Sequence, residues 1–450
     1  MTVNVHLTGR LATSSDQLHK QGTAVRAPEL SLFDVFGVSR EIPLNYVVRE
    51  KVDGVFLDAL TQHKHLVIHG SSKQGKTSLR KHTLPSTDYI IVTCSNKWNL
   101  AELHAAILKA AGYKLEGTTI RTTSGDLKVN AKLGAKLKLP FIGDAGAEVG
   151  TEASEATARS EAETSLELDA ADVNDIIDAL DKSNSPKRIV LEDFHYLPEE
   201  TQTDFAVALK AFHEDSAYCF IVVGVWLDEN RLLQHNGDLG GRLLSVNADK
   251  WTVEELKSVM NVGSAQLNIK FTPQFMDSLI DGSLSSVWIV QEVCKLACER
   301  AGVYATQENC VVIDDDVPAL ITQVVNQDTA RYVGFLSRFA GGIQNTRLEM
   351  FRWILMSVLL AELEDLTRGL TYGWLTQTIN MHHPTAPVNA GNITQALQST
   401  ASLQLVHMKL KPIILDYNQT ARRLTVVDRS FMIWLQHQDR AALISELELS

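Results

Sequence analysis

Gly70-Ser71-Ser72-Lys73-Gln74-Gly75-Lys76-Thr77 is the stretch that decides how the rest of the chain is read. Two glycines enclose four residues and are followed by Lys and Thr. Glycine turns through backbone conformations closed to other residues, so that successive N–H groups can point inward around the oxygens of an anion. In this pattern the lysine reaches the β- and γ-phosphates of a nucleotide and the threonine hydroxyl ligates Mg2+. The flanks decide whether the pattern is more than a chance Gly/Ser turn. His65-Leu66-Val67-Ile68-His69 ahead of it is a short β-type run, and Ser78-Leu79-Arg80-Lys81-His82 behind it continues as a helix. Strand, loop and helix in that order are what a phosphate-binding loop requires. Gly70, Ser71, Ser72, Lys73, Gln74, Gly75, Lys76, Thr77 and Ser78 are therefore expected to cradle ATP, with Thr77 on Mg2+.

Around that loop the chain has room for several domains. Its 450 residues, 45% of them hydrophobic, correspond to about three domains of ordinary size. A net charge of −12 and a pI near 5.6 argue against a surface coated with basic groups for non-specific nucleic-acid binding. Cys94, Cys219, Cys294, Cys298 and Cys310 lie mostly in apolar runs without paired CxxC spacing, which reads as buried thiols in a reducing compartment. No apolar stretch approaches the roughly 18 residues of a membrane span and no leader pattern opens the chain, so a cytoplasmic protein is expected.

Residues 1 to 45 read as a polar N-terminal arm, able to dock on a neighbouring subunit, and 46 to 250 as the nucleotide-binding core. Tyr89 to Cys94 is a buried strand and Leu100 to Ala111 a helix, the rhythm of a parallel α/β sheet. Residues 114 to 168 break it. Apolar residues alternate with lysines from Leu127 to Leu139, a period of two, before a turn at Pro140 to Gly146 and an acidic segment up to Leu168. An inserted β-hairpin, basic strand against acidic strand, is expected, the alternative being one strand with an acidic tail. Arg188-Ile189-Val190-Leu191-Glu192-Asp193 then reads as an apolar strand ending in two acids. At the carboxyl end of a strand beside the loop's own, one such acid helps hold Mg2+ through water and the other polarises the attacking water. By position Glu192 takes the metal and Asp193 the base role, and the two can exchange.

After the strand Tyr218 to Val225, residues 251 to 330 are helical in periodicity and read as a lid. From 344 to 450 the order is helix, helix, helix, then two strands around Asn418-Gln419-Thr420, which describes a separate winged-helix domain. Its third helix, Asn392 to Leu403, carries Asn392, Gln395 and Gln398 but no Lys or Arg. Lys411, Arg422 and Arg423 could form a basic wing. The unit holds nine basic and nine acidic residues, so binding to double-stranded DNA and docking of a protein both stay open.

Val47-Val48-Arg49-Glu50 about twenty residues ahead of the loop, Leu191-Glu192-Asp193-Phe194-His195, an arginine before the fifth strand, a helical lid and a terminal winged helix together resemble the AAA+ and STAND P-loop ATPases. The likeness is to origin-recognition and transposition-targeting ATPases and to related ATPases of bacterial conflict systems, which act in antiphage defence. The resemblance implies that Arg49 neighbours the nucleotide, although Val48 stands where the family has Gly. It implies a γ-phosphate or coupling role for His195, and a finger role for Arg242 on a neighbouring subunit's nucleotide, with Arg231 the second choice. Two features depart from it. Val223-Gly224-Val225-Trp226 has no polar sensor unless Asn230 serves, and Ser285 to Gln291 has no second-sensor arginine. The implied protein is an oligomeric ATPase, slow in turnover, whose nucleotide state controls DNA or an effector partner. The other reading is a nucleotide-gated protein-binding scaffold without DNA contact. The insert could face DNA in a ring or pair with the same insert of adjacent subunits.

Overall fold

Five consecutive buried residues, His65–His69, form strand β1, and a strand buried along its whole length belongs in the middle of a sheet covered on both faces. The computed structural model describes residues 29–37, 41–121, 127–134, 163–229, 231–342 and 348–446. In chain order β1 is followed by helix α1 (Lys76–Thr83), β2 (Tyr89–Thr93) and α2 (Leu100–Ala110). Next come β3 (Tyr113–Arg121), β4 (Leu127–Gly134) and β5 (Glu163–Asp169), and then α3 (Val173–Lys182), β6 (Arg188–Glu192), α4 (Glu199–Asp215), β7 (Cys219–Val223) and β8 (Leu243–Asn247). Capping fixes several starts. Asn99 and Glu102 form a reciprocal capping box on α2, and Asp172 accepts from the Asn174 amide on α3.

The central sheet is parallel, in the order β2-β6-β7-β1-β8. This corrects one expectation: the strand bearing Glu192 is not beside β1, because β7 lies between them. Both strands nevertheless end on the same edge of the sheet, where loops of a parallel sheet gather ligands.

The insert also differs from the expected hairpin. It is a three-stranded antiparallel sheet, β3-β4-β5, in which the alternating segment is the central strand. β3 supplies a partner that went unrecognised, and its register shifts between Glu116 and Ile120, across Gly117. The cross-strand pairing of opposite charges is limited in the register to positions such as Lys128 opposite Asp169, while Lys132 faces Ser165. The turn expected at Pro140 to Gly146 lies outside the described residues, as does most of the N-terminal arm.

The lid comprises α5 (Val253–Leu267), β9 (Ile269–Phe271), α6 (Pro273–Gly282), α7 (Val287–Arg300), β10 (Val311–Ile313) and α8 (Val317–Asn326), and α9 (Thr329–Gly341) leads out of it. The C-terminal unit runs α10 (Met350–Leu360), β11 (Leu370–Thr371), α11 (Tyr372–His382), α12 (Ala390–Gln398), β12 (Leu415–Asn418), β13 (Arg423–Val426) and α13 (Arg429–Gln436). β13 lies between β11 and β12, all antiparallel, completing the winged-helix order. This unit is not independent of the lid. One continuous core joins them, with Tyr332 and Phe335 of α9 packed against Phe431 of α13 at ring-centroid separations of 5.3 and 5.6 Å. The described end of the arm docks on its own chain's lid. Phe36 lies against Gly263 so closely that a Cβ there would sit 2.3 Å from the ring.

Among the described residues no helix is long and apolar enough to cross a membrane. Cys94, Cys294 and Cys298 are buried thiols, whereas Cys310 is exposed.

Candidate functional site

The loop between β1 and α1 closes through two left-handed glycines, Gly70 at φ +139° and Gly75 at φ +81°. A Cβ on Gly70 would fall 2.7 Å from Asp249 Oδ1, so both conformation and space exclude a side chain there. Inside the loop Lys76 is buried, its Nζ donating to the carbonyls of Gly70, at 3.0 Å, and Ser71. Burial pushes the ammonium down to about 8, with the nearby carboxylates of Asp249, Glu192 and Asp193 pulling the other way. An ammonium held without a full counter-charge is a ready partner for phosphate. Gln74 is wholly buried and its side-chain amide has no hydrogen-bond partner, an unsatisfied polar group at the same loop.

The loop opens onto a cavity of about 440 Å³ walled by Lys73, Gln74, Gly75, Lys76, Thr77 and Ser78 on one side and by Trp251, Val287 and Trp288 on the other. That is within the usual size of small-molecule sites. Arg49 is buried at the apolar end. Its guanidinium lies 4.0 Å from the Trp251 ring centroid and Nη1 donates to the Ala248 carbonyl at 2.8 Å. Burial lowers its pKa, and Tyr46 and Asp53 oppose that fall. Asn45 and Gln291 form a reciprocal amide pair here, at 3.0 and 2.8 Å, tying the segment before Arg49 to α7. Lys73, at φ +62°, reaches across to the lid, with Nζ 3.7 Å from the Trp288 centroid and 3.2 Å from Asp328.

Glu192 and Asp193 stand at the end of β6, and the structure gives them different surroundings. Glu192 accepts from Arg80 Nε at 2.8 Å, and burial raises its carboxyl while Arg80 opposes the rise. Asp193 sits in the left-handed region at φ +57°. Burial raises its carboxyl too, opposed by Lys411 and Lys76. His195 is buried with neither ring nitrogen partnered, and burial, reinforced by the charges of Lys76, Arg231 and Lys411, holds it well below its usual range. It is neutral at physiological pH, so any contact it makes with phosphate is that of a neutral imidazole.

The two arginines expected as fingers lie elsewhere. The Arg242 carbonyl accepts from the amide of His65, at the opposite end of β1 from the loop, about 16 Å away for a five-residue strand. Its side chain donates to Glu214 Oε1 and the Asp238 carbonyl, both at 2.6 Å. It is not part of this chain's own site. Arg231 pairs with Asp416 of β12 at 2.6 Å. Asn230 lies outside the described residues.

The supposed DNA-facing groups of the C-terminal unit are partly engaged. Gln398 donates to Gln419, Gln419 to Glu199 and Asn418 to Asp228, so the hairpin turn rests on the unit built around the central sheet. Arg422 stacks on Tyr372 and Arg423 donates to the Gly369 carbonyl. Lys411 is not on the wing at all. Its Nζ lies 4.1 Å from the Tyr196 ring centroid, beside the β6 acids. Asn392 is half-buried and Gln395 exposed.

Trp251, Trp288, Asp249 and the Asn45–Gln291 pair carry no motif and went unpredicted as site residues. Asp249 and Trp251 follow β8 whereas Trp288 and Gln291 lie within α7, and no common spacing links them. Mg2+ fits the donors present: the Thr77 hydroxyl and a strand-end carboxylate, beside phosphate oxygens. Such a site needs no cluster of three protein ligands, and none occurs among the described residues.

Sheet order, loop and lid together have the fold of an AAA+ P-loop ATPase. Among solved structures the chain is similar to a Walker-type ATPase of Pyrococcus abyssi over 90% of its own length and 99% of the other's, at 11% identity and a TM-score of 0.50. Matches of lower score include the Orc1 protein of Aeropyrum pernix solved in complex with DNA (11% identity, 92% and 98% covered, TM-score 0.41). Another is Cdc6p of Pyrobaculum aerophilum (11%, 88% and 93%, 0.32). No protein-family model and no curated protein matches the sequence.

Proposed function

We propose that this chain binds and slowly hydrolyses ATP with Mg2+, and that nucleotide state governs its assembly as a homo-oligomer that controls DNA or an effector partner. One observation carries the reading: the cavity is shared between the phosphate loop and the lid, and Lys73 of the loop already reaches Trp288 and Asp328 across it. A ligand filling such a cavity sets the distance between its two walls, so occupancy becomes lid position.

Lys76 would bind the β- and γ-phosphates and the loop amides would surround them. The base would lie at the apolar end near Trp251 and Arg49. Held by Thr77 and, through water, by Glu192, Mg2+ would neutralise phosphate charge. Asp193 would polarise water toward the γ-phosphate, since the Glu192 carboxylate is already held by Arg80. Arg242, remote from its own site, would serve a neighbour's, which makes turnover depend on assembly. Antiphage defence is the biological setting that the family resemblance suggests.

A low-turnover scaffold is the second reading, favoured by the Arg80–Glu192 ion pair, since a carboxylate held by a cation is less available to a metal. ATP turnover with particle mass, measured with and without double-stranded DNA, separates the two. Assembly with DNA-stimulated turnover supports the first. ATP-driven assembly with negligible turnover and no response to DNA supports the scaffold, and neither assembly nor turnover refutes both.

A further inference from the structure

The lid segment Ser285 to Gln291 has no arginine, yet an arginine does reach the phosphate loop, from the other end of the sequence. Arg429 opens α13 in the C-terminal unit. Its Nη1 is anchored on the carbonyls of Leu284, at 2.8 Å, and Ser285, at 3.2 Å. The other edge of the guanidinium faces the loop, with Nε 3.3 Å from Ser71 Oγ and Nη2 3.3 Å from Asp249 Oδ2. Asp249 in turn accepts from the Ser71 amide at 2.8 Å and its hydroxyl at 2.7 Å.

The surroundings hold Arg429 in this place. The Ser72 amide donates to the Val427 carbonyl at 3.1 Å, a direct bond from loop to C-terminal unit. Asp428 is fixed by Arg331 at 2.7 Å and caps α13 through the amides of Ser430 and Phe431. A small apolar cluster of Tyr196, Val225, Leu405, Ile413 and Val427 seals the same junction.

Position along the loop identifies what Arg429 would meet. Trp251, Trp288 and Tyr46 line the apolar end of the cavity. Ser71 stands at the start of the loop, where its carbonyl holds the Lys76 ammonium, and that ammonium serves the β- and γ-phosphates. We infer that Arg429 is the C-terminal unit's cation for the γ-phosphate of a bound nucleoside triphosphate, exchanging its Asp249 partner for phosphoryl oxygens. This rests on the phosphate-loop reading. A planar guanidinium with one edge fixed on carbonyls and the other presenting two parallel donors toward the loop suits phosphate well. A diphosphate offers no such group, and Arg429 then stays on Asp249. Arg429 thus positions the C-terminal unit by the presence or absence of the third phosphate.

The test is the affinity of the full chain for ATP and for ADP, in wild type and in Arg429→Ala, Arg429→Lys, Asp249→Asn and Lys76→Ala. Arg429→Ala should weaken ATP by about tenfold, the worth of one charge-assisted contact, and leave ADP within about twofold. Arg429→Lys should recover part of the ATP preference, and Asp249→Asn, which removes the competing anion, should raise it. A merely structural arginine would shift both nucleotides together. Equal losses of ATP and ADP, or no change in either, overturn the inference while leaving the loop assignment standing. If Arg429→Ala does not fold, an unchanged ATP-to-ADP ratio in Asp249→Asn overturns it instead. Wild type that binds neither nucleotide, or Lys76→Ala that binds both normally, overturns the loop reading and this inference with it.

Discussion

Raising the pH should weaken ATP binding, and the structure says over which range. With the site empty, burial holds the Lys76 ammonium at about 8, against an ordinary value of 10.5. A triphosphate placed against it favours the charged form and returns the proton. Binding therefore takes up a proton once the free site has lost it. From that pKa, affinity should fall about twofold at pH 8 and about tenfold at pH 9 relative to neutral pH. The γ-phosphate completes its own ionisation below that range. Stability of the empty protein should move the other way. The unfolded chain keeps this proton up to 10.5 while the folded one gives it up near 8, so acquiring the neutral form relieves a buried charge and stability rises across that window. The assay is ATP titration by calorimetry in buffers of different ionisation enthalpy, which reads affinity and proton uptake together. Lys76→Arg, always charged, binds more weakly at neutral pH but without the slope. A flat wild-type affinity from pH 7.5 to 9.5, or an equal slope in Lys76→Arg, would refute the assignment.

Replacing Asp193 by Asn should keep ATP binding within about threefold while lowering hydrolysis by a factor of about 10² to 10⁴, the usual worth of a general base; single-turnover rates beside binding constants check it, and parallel losses would count against the base role. Arg242→Ala should bind ATP normally yet lose turnover, and mixing it with Lys76→Ala should restore part of the rate, since each supplies what the other lacks at a shared interface; no recovery at any mixing ratio removes Arg242 from the chemistry. Acidification should destabilise the fold between about pH 6.5 and 4. His65 and His104 are buried and held at about 4, each donating a ring N–H to a backbone carbonyl, so the unfolded chain binds protons there that the folded chain does not. Unfolding in that window should take up about two protons from these groups alone, and a melting temperature independent of pH there would contradict their burial as neutral rings.

How much of this the sequence discloses depends on whether the constraint is local. The loop between β1 and α1 is legible because its turn is written in eight contiguous residues, with glycines at two positions where φ is positive, and β6 because an apolar run ends in Glu192 and Asp193. The order of strands is not legible. Nothing in those residues says that β7 separates β6 from β1, since strand adjacency is decided by packing of helices far apart in the chain. The insert shows the same limit. Alternation from Leu127 marks a strand facing two environments, but β3 bends around Gly117 and has no clean period, so a three-stranded sheet looked like a hairpin. The roof of the cavity is hidden for another reason. Asn45 and Gln291 pair across 246 residues, and Arg429 reaches Ser71 across 358, with no spacing to betray either. The absence of a lid arginine was the visible clue, and its meaning required the fold. Periodicity likewise found the helices of the lid and of the C-terminal unit without telling that both bury their apolar faces in one core.

The most direct test of the central claim is equilibrium binding of ATP with Mg2+ to the full chain, wild type against Lys76→Ala, both folded by circular dichroism. The account predicts one nucleotide per wild-type chain and a loss of at least about a hundredfold in affinity in the variant, because a buried charge-assisted phosphate contact is removed. No ATP binding by wild type, or undiminished binding by Lys76→Ala, would contradict it.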